Sequence, residues 1–294
     1  MVLNNEKVKE IKGKIQNNER IKRTEVIHYC RDINLRRANL DYVYNHVELL
    51  EHARCCDIEY FIEKYVDIKL FDHQKEIIKL YKENRFSIIM SSRQTGSTTI
   101  LMILFLHYLL FNNEKNILLV SNKSMTNTEH IKIIKRYYKK LPFFLQKGVV
   151  NWNQMSINFD NGSRVIVSSS REVAIGCNIH VLLVNEFARM PDSTTKSITR
   201  NLIPAISALK DSKIIITSTP CGYNSFQKMV QDSEREENDP LKNAYKTLRI
   251  HWSEVPNRNE EWKQQQIRLI GGEEAFNQEY ELKFISSKKS KRKI

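Results

Sequence analysis

The stretch SIIMSSRQTGSTTI, residues 87–100, decides how the rest of this chain is read. An apolar run ends in Ser91-Ser92, turns through Arg93-Gln94-Thr95-Gly96, and resumes after Ser97, Thr98 and Thr99 as an apolar run reaching Phe111. That is the outline of a strand turning into a helix around a phosphate. A glycine lets the backbone approach the anion, and the helix start points N–H groups and the positive end of its dipole at it. Against GxxxxGK[ST], Gly96 and Thr98 fit, whereas Ser91 stands where the first glycine is expected and Ser97 where the lysine is expected. Taken alone, Gly-Ser-Thr-Thr is also an ordinary N-cap, so this stretch by itself leaves a nucleotide site and a plain helix start both open.

Working outward, β-branched runs alternate with helical patterns: FSIIMS (86–91), NILLVS (116–121), VLLVN (181–185), KIIITS (213–218) and YKTLRIHW (245–252). Near-continuous apolar strands separated by helices predict an α/β fold, a mostly parallel sheet flanked by helices. SINFDNGSRVIVSS (156–169) reads as an antiparallel hairpin, because Asn161-Gly162 supplies the positive-φ turn between two alternating runs. Residues 1–57 are rich in charge, with Leu40, Val43, Val47 and Leu50 at helical spacing, and read as a helical N-terminal segment. Residues 58–285 form the main α/β domain, and the basic tail 286–294 is expected to be disordered.

Three further pieces line up with the loop. VLLVNEF ends a strand where nucleotide enzymes carry two acids, but here only Glu186 is acidic and Asn185 precedes it. IIITSTPCG ends its strand in Thr217, Ser218 and Thr219, a hydroxyl-rich turn able to sense a nucleotide. Gln74 in LFDHQKEII lies before the first strand, where an amide can read an adenine edge. Each has an ordinary explanation as a loop acid, a strand end or a helix-surface residue, and it is their order along the chain that carries weight.

Composition narrows the partners. Lys and Arg number 47 against 34 Asp and Glu in 294 residues, a formal charge of +13. Such a balance favours a polyanion, nucleic acid before a membrane surface. The longest apolar stretch, 100–111, is interrupted by His107 and is too short to cross a bilayer, and MVLNNEKVKE has no signal-like apolar core. A protein without a membrane partner, working inside the cell, is expected. Five Cys form no CxxC pair and are odd in number, which supports neither a zinc site nor a disulfide framework. Basic residues gather in HIKIIKRYYKKL: Lys132, Lys135, Arg136, Lys139 and Lys140, with Tyr137 and Tyr138 between them. Their spacing puts charge on several sides of one helix, so a DNA track and a solvated face both stay open. No helix-turn-helix or zinc pattern points to reading of a specific DNA site.

The pieces DHQKEII, SSRQTGSTT, LPFFLQKGVVNWNQMSINFDNGSRV, VLLVNEFARMP, KIIITSTPCGYNSF and FNQEY, taken in order, resemble the ATPase domain of the large terminase subunit of tailed phages, especially the large-myophage type. The similarity runs from about residue 58 to 285. It implies a P-loop NTPase fold of the additional-strand, RecA-like type that uses ATP and Mg²⁺, and a motor that drives double-stranded DNA into the procapsid in the host cytoplasm. By the same resemblance, partners would be the portal protein and the small terminase subunit, with a homo-oligomeric ring assembled on the portal. The RNase H-like nuclease that follows the ATPase domain in that family has no counterpart up to Ile294, so a separate nuclease subunit is a further expected partner.

Carried over residue by residue, Gln74 would contact adenine and Ser92 to Thr99 would cradle the phosphates, with Arg93 a candidate arginine finger in cis. Thr98 would ligate Mg²⁺, helped indirectly by Asn185. Glu186 would orient or activate the attacking water, and Thr217, Ser218 and Thr219 would couple hydrolysis to motion. Three positions depart from the family pattern: Ser97 for Lys, Asn185 for Asp, and Ile175 where an Arg is expected before Gly176. A Lys about 4 Å from a phosphate charge corresponds to roughly 4 kcal/mol at an effective dielectric of 20. A neutral Ser cannot replace it. Loss of an arginine finger costs on the order of 10³ to 10⁵ in rate. Together the three changes predict a degenerate site with weak or absent hydrolysis. The alternative is a catalytically inactive terminase-like protein that binds DNA or the motor ring as a regulator.

Overall fold

The β-branched and Leu-rich runs form eight strands: β1 (Phe86–Ser91), β2 (Asn116–Ser121), β3 (Val149–Trp152), β4 (Ser156–Phe159), β5 (Arg164–Ser168), β6 (Val181–Asn185), β7 (Lys213–Ser218) and β8 (Lys246–Ile250). They lie in the order β3-β4-β5-β2-β6-β7-β1-β8 in a computed structural model that describes residues 47–168 and 178–285. β1 runs parallel to β7 and β8, and β6 parallel to β7, whereas β3, β4 and β5 pair antiparallel. The expected mostly parallel sheet is therefore present. Of the helical N-terminal segment, the helix Val47–Cys55 lies within the described residues; Leu40, Val43, Ile175 and the tail 286–294 lie outside them.

The described residues fall into two compact units. One comprises residues up to Leu70 with Thr98–Ile117 and Met125–Val167. Here the helix Ser97–Phe111 is apolar on all sides, and Ile100 to Leu106 are each at most 1 % exposed, so its stability comes from burial rather than from an amphipathic stripe. The predicted Asn161-Gly162 turn closes the β4–β5 hairpin, with Gly162 at φ +78°. It also ends that helix. Asn161 Nδ2 donates to the carbonyls of Leu109 (2.9 Å) and Asn112 (2.8 Å), and Ser163 Oγ donates to Asn112 O (2.6 Å). These side chains satisfy carbonyls that a helix terminus leaves without partners. β3 was not foreseen from the sequence: VVNW is short and carries Asn151, yet it pairs with β4 across an irregularity between Val149 and Asn151.

Two histidines in this unit are buried as neutral rings. His107 packs on Phe61 (4.7 Å between ring centres) and Phe111 (4.8 Å), and burial pushes its pKa down to about 4. His130 is likewise pushed down to about 4 by burial, against the opposing charge of Glu129. Below the ordinary histidine pKa the unfolded chain takes up protons that the folded chain refuses. Stability is therefore intact above pH 6.5 and is lost as pH falls from 6.5 toward 4, by roughly 3 kcal/mol for each ring at the full effect. Thermal melts between pH 7 and pH 4 should show this fall, and His107→Phe should flatten it by about half. An unchanged acid slope in that variant would mean that other groups set it.

The second unit comprises Phe71–Ser97, Leu118–Ser124 and the described residues from 178 onward. Its core is built from the alternate residues of its strands, including Ile88, Met90, Leu118, Val120, Leu182, Val184, Ile214 and Ile216, closed by Phe187, Phe226 and Val230. Register sets the site. Asn185 is level with Thr217, Met90 with Ser218, and Ser91 with Ile250. The carboxyl ends of β1, β6, β7 and β8 thus finish together, the place where open parallel sheets hold their ligands. The predicted strand 245–252 stops at Ile250. His251 instead caps the short helical turn Trp252–Glu254, its side chain accepting from Ser253 N–H.

Candidate nucleotide site and basic groove

The segment after β1 is a cradle of backbone donors. Gln94 (φ +58°) and Gly96 (φ +80°) adopt left-handed conformations on either side of Thr95, the alternation that turns successive N–H groups toward one point. Among the described residues the N–H groups of Gln94, Thr95, Gly96 and Ser97 find no acceptor. Their carbonyl side is fixed from outside: Arg258 donates Nη1 to Arg93 O (3.0 Å) and Nη2 to Gln94 O (2.9 Å). Ser92 N–H reaches Ile250 O (2.9 Å). Gly96 is favoured by its positive φ, where a side chain would be strained, and a Cβ there would also lie 2.8 Å from Gln74 Nε2 and displace that amide. Such a cradle fits a phosphate group.

Side chains around the loop take up most of the expected positions. Gln74, 8 % exposed near the start of the helix Asp72–Glu83, accepts from Phe71 N–H (3.2 Å) and points its amide at Thr95 O (3.5 Å). His73, which the sequence did not single out, is buried between Thr95 O (2.9 Å to Nε2) and Glu254 O (3.1 Å to Nδ1). Ser97 is also buried, and its Oγ is 2.6 Å from Thr95 Oγ1, so the hydroxyl at the lysine position is paired inside the loop. Ser92 Oγ is buried without a partner among the described residues. Thr98 and Thr99 are partly buried in the first turn of the helix Ser97–Phe111.

At the end of β6, Asn185 Oδ1 accepts from Thr217 Oγ1 (2.7 Å). Glu186 follows in a left-handed conformation (φ 58°, ψ 38°), unusual for a residue with a Cβ. Its carboxylate makes no ion pair or hydrogen bond among the described residues. Ser218 Oγ accepts from Ala188 N–H (3.1 Å) and donates to Thr219 O (2.8 Å). Arg93 does not lie free over the loop, because its Nε pairs with Glu279 Oε2 at 2.6 Å. No cluster of three metal-type side chains occurs among the described residues. In this unit Asn185 offers a neutral oxygen only, which fits a cation held chiefly by phosphate oxygens and water, as Mg²⁺ commonly is.

In the first unit, the basic residues behave differently from the several-sided distribution expected. Lys132, Lys135, Arg136, Lys139 and Lys140 line one groove of about 470 Å³. Positions i, i+3, i+4, i+7 and i+8 fall on one helical face, and the helical bond from Lys139 N–H to Lys135 O (3.2 Å) carries that face past Tyr138, so the several-sided expectation misjudged the spacing. Lys135 and Lys139 sit over the Trp152 ring (4.9 and 5.7 Å), while Arg136 and Lys140 border Tyr137 (both 5.5 Å). Lys135 also donates to Asn153 O (2.7 Å), and burial together with the Lys139 charge pushes its pKa down. The interleaved tyrosines belong to the core. Tyr138 is fully buried against Trp152 and Phe159, with its hydroxyl on Lys147 O.

A parallel sheet with a phosphate-type loop after β1 and an acid after β6, β7 lying between the two strands, defines a P-loop NTPase fold. Residues 88–291 match the family model of the terminase large subunit, T4likevirus-type, N-terminal, and the chain belongs to that family. Solved structures agree at the level of fold. The Thermus phage P74-26 large terminase ATPase domain is 17 % identical with a TM-score of 0.62, over 77 % of this chain and 98 % of that one. The HK97 bacteriophage large terminase is 14 % identical with a TM-score of 0.59, over 76 % of this chain and 53 % of that one. A large terminase from a thermophilic bacteriophage in complex with ADP is 15 % identical with a TM-score of 0.55, over 74 % of this chain and 54 % of that one. This chain therefore spans about half the length of the last two. No helix among the described residues is long and apolar enough to cross a membrane.

Proposed function

We propose that this chain is the ATPase-domain part of a phage DNA-packaging motor whose nucleotide site binds ATP with Mg²⁺ and turns it over slowly. The observation that carries this is Ser97, a neutral side chain paired with Thr95 inside a loop whose backbone keeps a phosphate-binding shape. In this reading the N–H groups of Gln94 to Ser97 bind phosphate oxygens. Gln74 reads the base, and Thr98 and Asn185 are the residues assigned to the cation. Mg²⁺ supplies charge neutralisation at the phosphates. Glu186 holds the attacking water, and the Asn185–Thr217 bond with Ser218 and Thr219 transmits the state of the site to β7. Arg93 is the candidate to replace the missing lysine. The basic groove, Lys132 to Lys140, tracks duplex phosphates without reading sequence. Portal protein, the small terminase subunit and a ring of further copies are the partners this role requires.

The same neutral pair, Ser97 and Asn185, supports a second reading as a silent ring subunit or regulator. Titration calorimetry with ATP and ADP, together with steady-state hydrolysis in Mg²⁺ and duplex DNA, separates the two. The motor reading expects nucleotide binding with slow turnover that Glu186→Gln removes, leaving affinity within about twofold. Binding without any turnover supports the regulator. Turnover that survives Glu186→Gln would remove Glu186 from the chemistry.

A further inference from the structure

Glu279, the last residue of the helix Glu273–Glu279, stands against the phosphate loop without a part in the chemistry above. Its carbonyl accepts from Arg93 N–H (3.2 Å). One carboxylate oxygen accepts from Arg93 Nε at 2.6 Å, and the other accepts from Arg189 Nη2. Gln278 Nε2 adds a longer contact of 3.4 Å. Arg189 lies three residues after Glu186 and also reaches Thr219 Oγ1 (3.4 Å), while its buried Nε has no partner among the described residues. One acid therefore ties the loop after β1, the turn after β6 and the end of β7 to the C-terminal helix.

Two guanidiniums face a single carboxylate here. Burial raises the Glu279 pKa, but the hydrogen bonds from Arg93 and Arg189 outweigh it and hold the carboxyl below its ordinary range, so it is ionised at neutral pH. A guanidinium fork matches phosphate as well as carboxylate, and a triphosphate carries several times the charge of one glutamate. Arg93 is 42 % exposed and is free to change partner.

We propose that Glu279 is a charge latch on the phosphate loop. It holds Arg93 and Arg189 as a cationic pair beside the loop, and the polyphosphate of a nucleoside triphosphate competes with it for them. This rests on the loop being a nucleotide site. The arginine pair then supplies the positive charge that Ser97 lacks, and transfer of either arginine to phosphate loosens the helix Glu273–Glu279. Occupancy of the site is read out at the C-terminal end of the fold. Glu279 is a positioning residue in this scheme, because it acts through the arginines.

Glu279→Gln tests this with little change of volume, since the backbone bond from Arg93 N–H is kept. ATP affinity by calorimetry should rise about fivefold to tenfold, with a smaller rise for ADP, and Arg93→Gln in the same background should erase the gain. Hydrogen exchange of residues 273–279 should quicken when ATP is added to the parent, and should already be fast in Glu279→Gln without it. A purely structural glutamate predicts the opposite, a loss of affinity on its removal. If the parent and Glu279→Gln bind ATP equally, the latch is wrong and the nucleotide site stands. If neither binds, the nucleotide site falls and the latch with it. Should Glu279→Gln fail to fold, Arg189→Gln serves instead, with ATP affinity expected to drop about fivefold; unchanged affinity there overturns the proposal.

Discussion

Ser97→Lys combined with Asn185→Asp is expected to raise ATP hydrolysis by about 10²- to 10³-fold over the parent chain. Each substitution adds a charge at a position beside the proposed phosphates. Asp at 185 is isosteric with Asn and can still accept the Thr217 hydroxyl bond now made at 2.7 Å. Lys at 97 breaks the Thr95–Ser97 hydroxyl pair, a loss on the order of 1 kcal/mol, against a phosphate interaction of up to about 4 kcal/mol. The two charges act on one nucleotide–cation unit, so the double variant should exceed the product of the singles. Steady-state phosphate release for parent, singles and double measures this directly. Improved binding with no gain in turnover would place the remaining defect elsewhere, and Ile175, where the family pattern carries Arg, is the first position to test.

Duplex DNA binding is expected to weaken about 10²- to 10³-fold between 50 and 200 mM salt. Five cations on one groove, if all are phosphate-bound, set a logarithmic salt slope near −4.5. The contributions are unequal. Lys135 already spends a hydrogen bond on Asn153 O and is partly desolvated over Trp152, and Lys132 is paired with Glu129 at 2.5 Å on an exposed face. Arg136 and Lys140 border Tyr137 and serve as the better probes. Replacing both with Gln should reduce the slope by about 2 and should weaken all sequences alike. Fluorescence anisotropy across a salt series would show it. An affinity flat across salt, or a slope indifferent to both substitutions, would leave the groove a solvated face.

Much of this was legible along the chain because it depends on near neighbours. Runs of β-branched residues gave five of the sheet's strands within a few residues of their ends, and Asn161-Gly162 gave the hairpin, since turn geometry is decided within four residues. Less was legible where one element borrowed stability from another. β3 contains too few residues for its pattern to declare a strand and forms because β4 offers a ladder. His73 looked like any residue of a helix start until the loop carbonyl of Thr95 was placed beside it.

The sequence by itself determined the chemistry that is present and the chemistry that is missing: a glycine at 96, hydroxyls at 97 to 99, an amide at 185, an acid at 186. Side-chain identity needs no fold. Tertiary structure alone decided what those groups do with one another, because partners such as Arg93 and Glu279, 186 positions apart, meet only after strand register has brought the carboxyl ends of the sheet together. The same closure gave Arg93 and Arg189 a shared acid. No periodicity within a segment encodes such contacts, since each depends on the summed packing of everything folded between the two residues.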